Sequence, residues 1–382
     1  MLTAILTWGI WLGQLTFPNQ PLPFNFELKE INNKPFMIIM NGDERLSCDE
    51  ISTSNDSLFV KMPFFDSEFK LAYKGNVMSG VWINHGRKEK NVIPFSAIHG
   101  VSYRFKASQK PKYNISGKWE AWFDIDNPDS SIAIGQFEQN GSIVKGTFLT
   151  ETGDHRFLEG IMDGDSLKLS VFDGVHAWLY IAKVDENTLT GMYYSGIHYQ
   201  APFNAKRNEN VKLRDPNSIT TVDAKFDFHL PDLDSTMVSL NDKMFKQKVI
   251  ILQIMGSWCP NCMDESILFN QIYKERKDEG LEIIGLGFEK SSDFNVASNN
   301  LSRIKKRLNL EYPILVAGVS GAQNVMKTFP NIKNFISFPT SIIIDRSGNV
   351  VKVHAGYSGP ATGLAYEIYQ KDLKRTLDRL LR

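Results

Sequence analysis

The spacing of apolar and polar residues divides the chain into two parts with different periods. From about 22 to 207, short runs of alternating aromatic and β-branched residues are separated by turn signals. The clearest turn signals are Asn41-Gly42, Gly75-Asn76, Asn140-Gly141 and Asp163-Gly164. Alternation of this kind is typical of strands that bury one face, and no window here keeps a helical period for long. The pattern therefore predicts an all-β domain over 22–207.

An internal repeat suggests how these strands are arranged. The stretches 57–82 and 166–193 both begin with Ser-Leu, pass a Phe-Asp pair, and end on Gly, an apolar residue and an aromatic. A shorter version of this ending recurs between 141 and 148. Repetition on this scale favours hairpins stacked into one closed or nearly closed barrel, because closure removes unpaired strand edges.

The period changes again from about residue 225. The segment 249–255 is a continuous apolar run, as expected for a strand buried on both faces. The other strands that we predict are 281–288, 312–316, 341–344 and 350–353, and the predicted helices are 260–278, 294–308 and 364–381. This alternation predicts an α/β domain over 225–382, a mixed sheet with flanking helices. The polar, turn-rich segment 208–224 is interpreted as a linker.

The first 20 residues have a character of their own. Leu2 to Leu15 is mostly apolar, and the first charged residue is Glu27. Such a stretch is typical of a secretory signal and too short for a comfortable membrane span. However, no Lys or Arg follows Met1, and no A-x-A cleavage site is evident. We therefore expect 1–20 to be a signal peptide or an N-terminal anchor, with a buried N-terminal strand as the alternative.

Composition narrows the classes of function. The 382 residues are 42% hydrophobic and 23% charged, which is typical of a globular chain with two or three domains. Lys plus Arg and Asp plus Glu both number 43, so no net field attracts nucleic acid. The seven histidines are scattered, and none pairs at ligand spacing. We therefore expect no nucleic-acid partner and no metal.

The cysteines carry the clearest chemical signal. Of the three, Cys259 and Cys262 form a C-x-x-C between the predicted buried strand and a helix. At a helix N-terminus the free N–H groups and the macrodipole stabilise a thiolate, and Pro260 is tolerated in the first turn. Cys262 lies one turn deeper, within reach of a disulfide, so we expect Cys259 to attack and Cys262 to resolve. A zinc site would need two more ligands, and Cys48 is interpreted as a buried structural thiol.

With these features in place, 225–382 resembles the thioredoxin-like family of exported bacterial disulfide reductases of the TlpA and ResA type. The resemblance rests on four segments: Phe228-His229-Leu230-Pro231-Asp232-Leu233 with Ser239-Leu240 as the opening hairpin, Trp258-Cys259-Pro260-Asn261-Cys262 with Glu265 as W-C-x-x-C-x-x-E, Phe338-Pro339-Thr340 as the cis-proline loop, and Ile344-Asp345-Arg346-Ser347-Gly348-Asn349 as a hairpin turn. The β region lies outside it, apart from a loose similarity to lipid-binding or lipocalin-like barrels.

The resemblance implies roles for individual residues. Pro339 would be cis and would face the disulfide, while Trp258, Phe338 and Thr340 would position the substrate. Glu265 would lie partly buried behind the disulfide, where lost hydration and a nearby thiolate raise the pKa of a carboxyl group. It would then donate a proton to the leaving thiolate or accept one from the resolving thiol.

The function implied is reduction of disulfides in exported proteins, without a cofactor and with electrons from a membrane donor. The location implied is the periplasm or cell envelope, with the N-terminus as a candidate membrane anchor. A thiol peroxidase is the runner-up, although Gly256 occupies the position where a peroxidase T-x-x-C needs Thr. A third hypothesis is a binding protein whose barrel holds a small ligand or partner and is regulated by the redox domain.

Overall fold

The structure is a computed structural model that describes residues 6–125, 132–223 and 225–382. It divides into two compact units. The β unit comprises Met1–Phe148 and His155–Lys212, and the α/β unit comprises Leu149–Asp154 and Leu213–Arg382. The short segment Leu149–Asp154 is thus part of the α/β unit although it lies far from the rest of that unit in sequence.

The first sheet of the β unit is an antiparallel meander. Its strands are β1 (Gly9–Thr16), β2 (Pro21–Ile31), β3 (Lys34–Asn41), β4 (Glu44–Cys48), β5 (Ile51–Ser54), β6 (Ser57–Lys61), β7 (Ser67–Lys74), β8 (Val77–Asn84) and β9 (Val92–His99). They are arranged in the order β4-β3-β2-β1-β9-β8-β7-β6-β5. Burial alternates strictly along β7, because successive side chains of a strand point to opposite faces.

Strand β1 falls within the segment expected to be a leader. It lies inside the sheet, paired on one edge with β2 and on the other with β9. The side chains of Trp11 and Leu15 are 0% exposed. A buried N-terminal strand was the alternative interpretation of this segment, and the strand pairing is what that alternative expects. Met1–Ile5, where the expected leader begins, lie outside the described residues, and the leader itself remains a prediction.

The second sheet consists of β10 (Gly117–Phe123), β11 (Ile132–Asn140), β12 (Ile143–Thr150), β13 (Gly153–Asp154), β14 (Leu158–Asp163), β15 (Ser166–Phe172), β16 (Ala177–Asp185), β17 (Thr188–Ser195) and β18 (Tyr199–Arg207). Its order is β11-β10-β18-β17-β16-β15-β14-β12-β13, and a further pairing of β11 with β12 closes it into a barrel. Fully buried aromatic side chains fill the interior, among them Trp119, Phe148, Tyr180 and Phe203.

The barrel-like character of the β region is confirmed, but the expectation of one barrel is wrong. Residues 100–116 form no strand, and the chain leaves the first sheet there and begins a second. The two sheets share apolar packing, since Phe172 and Leu179 of the second belong to the core of the first. The two copies of the repeat therefore lie in equivalent hairpins of two different sheets. The number of sheets was not predictable, because a local pattern does not specify which strand edges pair.

The α/β unit contains the helices α1 (Pro216–Ile219), α2 (Pro260–Arg276), α3 (Phe294–Arg307), α4 (Ala322–Thr328) and α5 (Leu364–Leu380). Its strands are β19 (Thr221–Val222), β20 (His229–Pro231), β21 (Met237–Ser239), β22 (Val249–Met255), β23 (Leu281–Glu289), β24 (Ile314–Val319), β25 (Ile332–Lys333), β26 (Thr340–Ile344) and β27 (Val350–Ala355). Short 3-10 helices cover Lys243–Phe245, Lys277–Glu279 and Pro360–Thr362.

The main sheet of this unit has the order β24-β23-β22-β26-β27. Strand β22 pairs in parallel with β23 and antiparallel with β26, so the sheet is mixed. Every residue of β22 is buried, as its continuous apolar run predicts. The strands and helices expected over 249–381 are present to within a few residues at each end, whereas α1 and α4 were not predicted. No helix among the described residues is both long enough and apolar enough to cross a bilayer.

Candidate redox site

The two cysteines meet where β22 leads into α2. Cys259 and Cys262 are joined by a disulfide, with their Cα atoms 5.3 Å apart. Cys259 is the N-cap of α2, and the backbone N–H of Cys262 donates to its sulfur at 3.2 Å. Pro260 occupies the first turn, where its missing N–H leaves no acceptor unpaired. The N–H of Cys262 and the helix dipole both point at the sulfur of Cys259. They therefore favour the thiolate form of Cys259 after reduction.

Accessibility distinguishes the two sulfurs. Cys259 is 5% exposed, whereas Cys262 is 0% exposed. This difference is what the predicted roles require, an attacking Cys259 and a resolving Cys262.

The loop before β26 lies against the disulfide. The peptide bond between Phe338 and Pro339 is cis, and the carbonyl oxygen of Phe338 lies 3.5 Å from the sulfur of Cys259. The carbonyl of Pro339 accepts a hydrogen bond from the backbone N–H of Gly356 at 2.9 Å. Thr340 is 0% exposed, and its hydroxyl donates to the carbonyl of Ser337 at 2.8 Å. Thr340 therefore shapes this loop from inside, and its part in positioning the substrate remains a prediction.

Two aromatic side chains border Cys259. The indole N–H of Trp258 donates to the carbonyl of Phe288 at 2.9 Å, which holds the ring in place. The rings of Trp258 and Phe338 meet edge to face, with centroids 5.2 Å apart. Both side chains are partly exposed, so they offer an apolar surface next to the reactive sulfur.

Glu265 lies on the buried side of α2. Its side chain is 0% exposed. Gln253 donates to one carboxyl oxygen and Tyr369 to the other, each at 2.9 Å. Burial raises the pKa of Glu265 to about 7, and the two hydrogen bonds act in the opposite direction. A carboxyl group with a pKa near neutrality can both donate and accept a proton at physiological pH.

Gln253 connects this carboxyl group to the cysteine motif. Its amide N–H also donates to the carbonyl of Cys262 at 3.2 Å. Its amide oxygen accepts from the hydroxyls of Ser266 and Tyr312 at 2.9 and 3.4 Å. These acceptor bonds fix which end of the amide faces Glu265. The sequence analysis did not predict a role for Gln253 or Tyr369. Gln253 could have been found, because it is the one polar residue inside the apolar run of β22.

A second buried carboxylate holds the turn before Cys259. Glu289 is 1% exposed, and its oxygens accept from the backbone N–H and the hydroxyl of Ser257, both at 2.7 Å. Burial raises the pKa of Glu289, while the bonds from Ser257 oppose that change. The side chain orders residues 256–258, and no feature of the sequence had indicated this role.

The remaining candidates lie elsewhere. Cys48 is 0% exposed in the β unit, with its sulfur 4.0 Å from that of Met62, in line with its interpretation as a structural thiol. Within the described ranges, no group of three or more His, Cys, Asp or Glu side chains could hold a metal ion. The expectations of no metal and no cofactor remain predictions.

Comparison with known proteins places the matched region in the C-terminal part of the chain. The Redoxin family model matches residues 220–368. The thiol-disulfide oxidoreductase ResA of Bacillus cereus is 27% identical over 154 residues, which are 40% of this chain and 75% of the relative. ResA of Halalkalibacterium halodurans is 29% identical over 129 residues, 34% of this chain and 65% of the relative.

A solved structure described as a putative thiol:disulfide interchange protein DsbE from Chlorobium tepidum is similar over 40% of this chain and 95% of its own, with 24% identity and a TM-score of 0.31. Together with the family model and the ResA relatives, the C-x-x-C at the start of α2 points to an oxidoreductase. The C-terminal part of the chain thus matches the Redoxin family over residues 220–368 and is similar to the ResA thiol-disulfide oxidoreductases.

Proposed function

We propose that the protein reduces disulfide bonds in exported proteins, with Cys259 as the attacking residue and Cys262 as the resolving residue. One observation supports this assignment of roles above the others. Cys259 is the more exposed of the two residues, and its sulfur accepts the N–H of Cys262 at the start of α2, while Cys262 is completely buried.

The reaction proceeds by two thiol–disulfide exchanges. In the first, the Cys259 thiolate attacks one sulfur of the substrate disulfide, which forms a mixed disulfide and releases the other substrate sulfur as a thiolate. In the second, the Cys262 thiolate attacks the sulfur of Cys259 and releases the remaining substrate thiolate. The substrate gains two electrons, and the Cys259–Cys262 disulfide re-forms. A dithiol donor, which we place in the membrane, returns the protein to its reduced state.

Glu265 handles the proton of the second exchange. Cys262 must lose a proton before it attacks, and Glu265 follows it by one turn of the same helix. With a pKa raised to about 7 by burial, the carboxylate form is available to accept this proton. Gln253 donates both to the carbonyl of Cys262 and to Glu265, so it keeps the carboxyl group in register with the cysteine.

The substrate is a disulfide-containing protein, and the surroundings of Cys259 fit one. Trp258 and Phe338 offer an apolar border, and the loop at Pro339 brings the polypeptide backbone close to the reactive sulfur. Thr340 contributes by holding the loop in shape. We place this activity in the periplasm or cell envelope, with the N-terminus as a candidate anchor. A small ligand in the barrel remains a separate prediction, and the aromatic side chains that fill the barrel interior do not favour it.

Cysteine substitutions in the full-length protein test these roles. Cys262→Ser should accumulate a mixed disulfide with substrate through Cys259, because the resolving thiol is absent. Cys259→Ser should accumulate none, and Cys48→Ser, which alters a buried thiol of the β unit, should react like the parent protein. The mixed disulfide is measured by mass spectrometry after acid quenching. Equal trapping by the Cys259 and Cys262 variants would show that the roles are not as proposed. A thiol peroxidase would instead consume peroxide without needing Cys262.

A further inference from the structure

The segment Leu149–Asp154 of the α/β unit has no place in the chemistry described so far. It forms a tight hairpin in which Thr150 pairs with Gly153 and Leu149 with Asp154. The hydroxyl of Thr150 donates to the carbonyl of Gly153 at 2.9 Å, which stiffens the turn. The segment lies outside the region matched by the Redoxin model, which begins at residue 220.

One side of the hairpin touches the cysteine motif. A Cβ added to Gly153 would lie 1.9 Å from the side-chain nitrogen of Asn261, so the backbone here is in close contact with that side chain. Asn261 stands between the two redox cysteines in sequence and is partly exposed. With φ at +153°, Gly153 has a backbone conformation that other residues rarely adopt.

The other side touches the segment that supports the cis-proline loop. A Cβ added to Gly356 would lie 2.5 Å from the carbonyl oxygen of Glu151. The N–H of Gly356 donates to the carbonyl of Pro339 at 2.9 Å. The hairpin therefore packs against the cysteine motif at Asn261 and against Gly356, the residue that donates to Pro339.

Two polar contacts anchor the hairpin. Asp154 is 4% exposed, and its carboxylate accepts from the backbone N–H of Gly359 at 2.8 Å. Glu151 accepts from the guanidinium of Arg214, with one N–O distance of 2.6 Å. Burial of a carboxylate is costly unless it is hydrogen-bonded, so the Asp154 contact fixes the position of the hairpin. Between these anchors, Thr152 is exposed to solvent at the tip.

We propose that the hairpin Leu149–Asp154 is a substrate-selecting wall of the redox site. Asn261 lies between the two cysteines and is partly exposed, and Gly153 of the hairpin packs against it. A protein substrate that covers the surface around Asn261 therefore meets the hairpin and the exposed Thr152. A small disulfide has no chain to place in that position. The hairpin therefore determines which protein disulfides are accepted and leaves the thiol chemistry unchanged. This inference rests on the proposed function.

A bulky side chain at the tip of the hairpin tests its proposed role in substrate selection, in the full-length protein. Thr152→Trp adds a large side chain at an exposed position and leaves the anchors in place. Ser347→Trp is the matched control, since Ser347 is also exposed, in the turn between β26 and β27. Both variants and the parent are assayed for kcat/KM with insulin and with an aryl disulfide of low molecular mass.

We expect Thr152→Trp to lower kcat/KM for insulin by about tenfold, the effect of one misfitted contact, and to leave the value for the aryl disulfide unchanged. Equal losses with both substrates would mean that the hairpin acts on the thiols, and no loss would mean that it meets no substrate. Either result overturns the proposal, as does the same selective loss in Ser347→Trp. A parent protein that reduces neither disulfide would instead refute the proposed function, and the wall with it.

Gly153→Ala gives a second test at the buried side. The added methyl group would displace the hairpin from Asn261. Its control is Gly348→Ala, which also places a side chain at positive φ, here +82°, but meets nothing within 4 Å. We expect Gly153→Ala to change kcat/KM for insulin selectively and Gly348→Ala to change neither substrate. If the two variants behave alike, the contact with Asn261 has no part in selection.

Discussion

The two units bury charged side chains in opposite ways. In the β unit, the side chain of Arg156 is 8% exposed and is paired with Glu44 and with Asp173, which is 3% exposed. Burial would raise the pKa of Asp173, but His176 and Arg156 outweigh it and the pKa is lowered. In the α/β unit, Glu265 is fully buried and is hydrogen-bonded by an amide and a phenol, both of them neutral.

The difference is the one expected between a carboxylate that serves the packing and one that takes part in chemistry. A buried carboxylate beside a guanidinium stays charged and acts as part of the packing. A buried carboxylate held by neutral donors has a pKa near the working pH, and it can move a proton. The surroundings of the two groups therefore indicate their roles before any activity is measured.

The largest expected effect is on the structural cluster of the β unit. Arg156→Met keeps the length of the side chain but removes the guanidinium from Glu44 and leaves Asp173 with His176 as its ion-pair partner. Breaking a buried pair in this way costs about 3–5 kcal/mol of unfolding free energy. Urea denaturation measures the loss, and hydrogen–deuterium exchange assigns it to the β unit. A loss below about 1 kcal/mol, the range of exposed pairs, would mean that the cluster is not truly buried.

The next effect concerns the carboxyl group of the α/β unit. Because the folded pKa of Glu265 is raised from 4.5 to about 7, its protonated form favours the fold. The contribution of Glu265 to the unfolding free energy is fully present below pH 4.5. It is lost as the pH rises through 7, by an amount on the order of 3 kcal/mol. Glu265→Gln should remove this pH dependence and make the unit more stable above pH 7. Its amide can still accept from Gln253 and contact Tyr369.

Thiol reactivity gives the functional half of the same test. We expect the pH–rate curve of disulfide exchange to break near pH 7 in the parent and to lose that break in Glu265→Gln. The control is Glu275→Gln on the exposed face of the same helix, which should keep both the break and the pH dependence of stability. An unaltered curve in Glu265→Gln would assign Glu265 to structure alone.

A smaller effect is expected from Tyr369. Its hydroxyl donates to the carboxyl group of Glu265 and stabilises the charged form. Tyr369→Phe should therefore raise the pKa of Glu265 by about one unit, since a hydrogen bond to a charged group contributes about 1.5 kcal/mol. The break in the pH–rate curve would move upward by the same amount. Tyr366→Phe on the same helix is the control, and an equal movement there would mean that the hydroxyl of Tyr369 is not responsible.

The smallest effect is expected at an exposed pair of the α/β unit. Lys371 lies 3.2 Å from Glu367 on the surface of α5, with both side chains more than half exposed. Lys371→Met should change the unfolding free energy by less than about 0.5 kcal/mol, because water already solvates both charges. A cost similar to that of Arg156→Met would contradict the contrast between buried and exposed pairs.

Local patterns in the chain were sufficient for much of the α/β unit. The apolar run at 249–255 predicted β22, and the C-x-x-C after it indicated redox chemistry at a helix N-terminus. The helical period predicted α2, α3 and α5. These features depend on residues within one or two turns of each other, so the information is contained in the sequence itself. In the β region, the alternation of apolar and polar residues predicted the strands equally well. It did not predict which strand edges pair.

Some features depend on contacts between distant residues, and only the tertiary structure decided them. The division into two sheets depends on which strand edges meet, and a strand's alternation specifies its faces and not its partner. The surroundings of Glu265 need Tyr369 from the last helix, 104 residues later in the chain. The hairpin Leu149–Asp154 belongs to the α/β unit although it lies far from the rest of that unit in sequence. The sequence by itself thus determined the cysteine pair and the elements that carry it. The fold decided the environment that tunes the carboxyl group and surrounds the disulfide, because burial and pKa arise only when distant segments exclude water together.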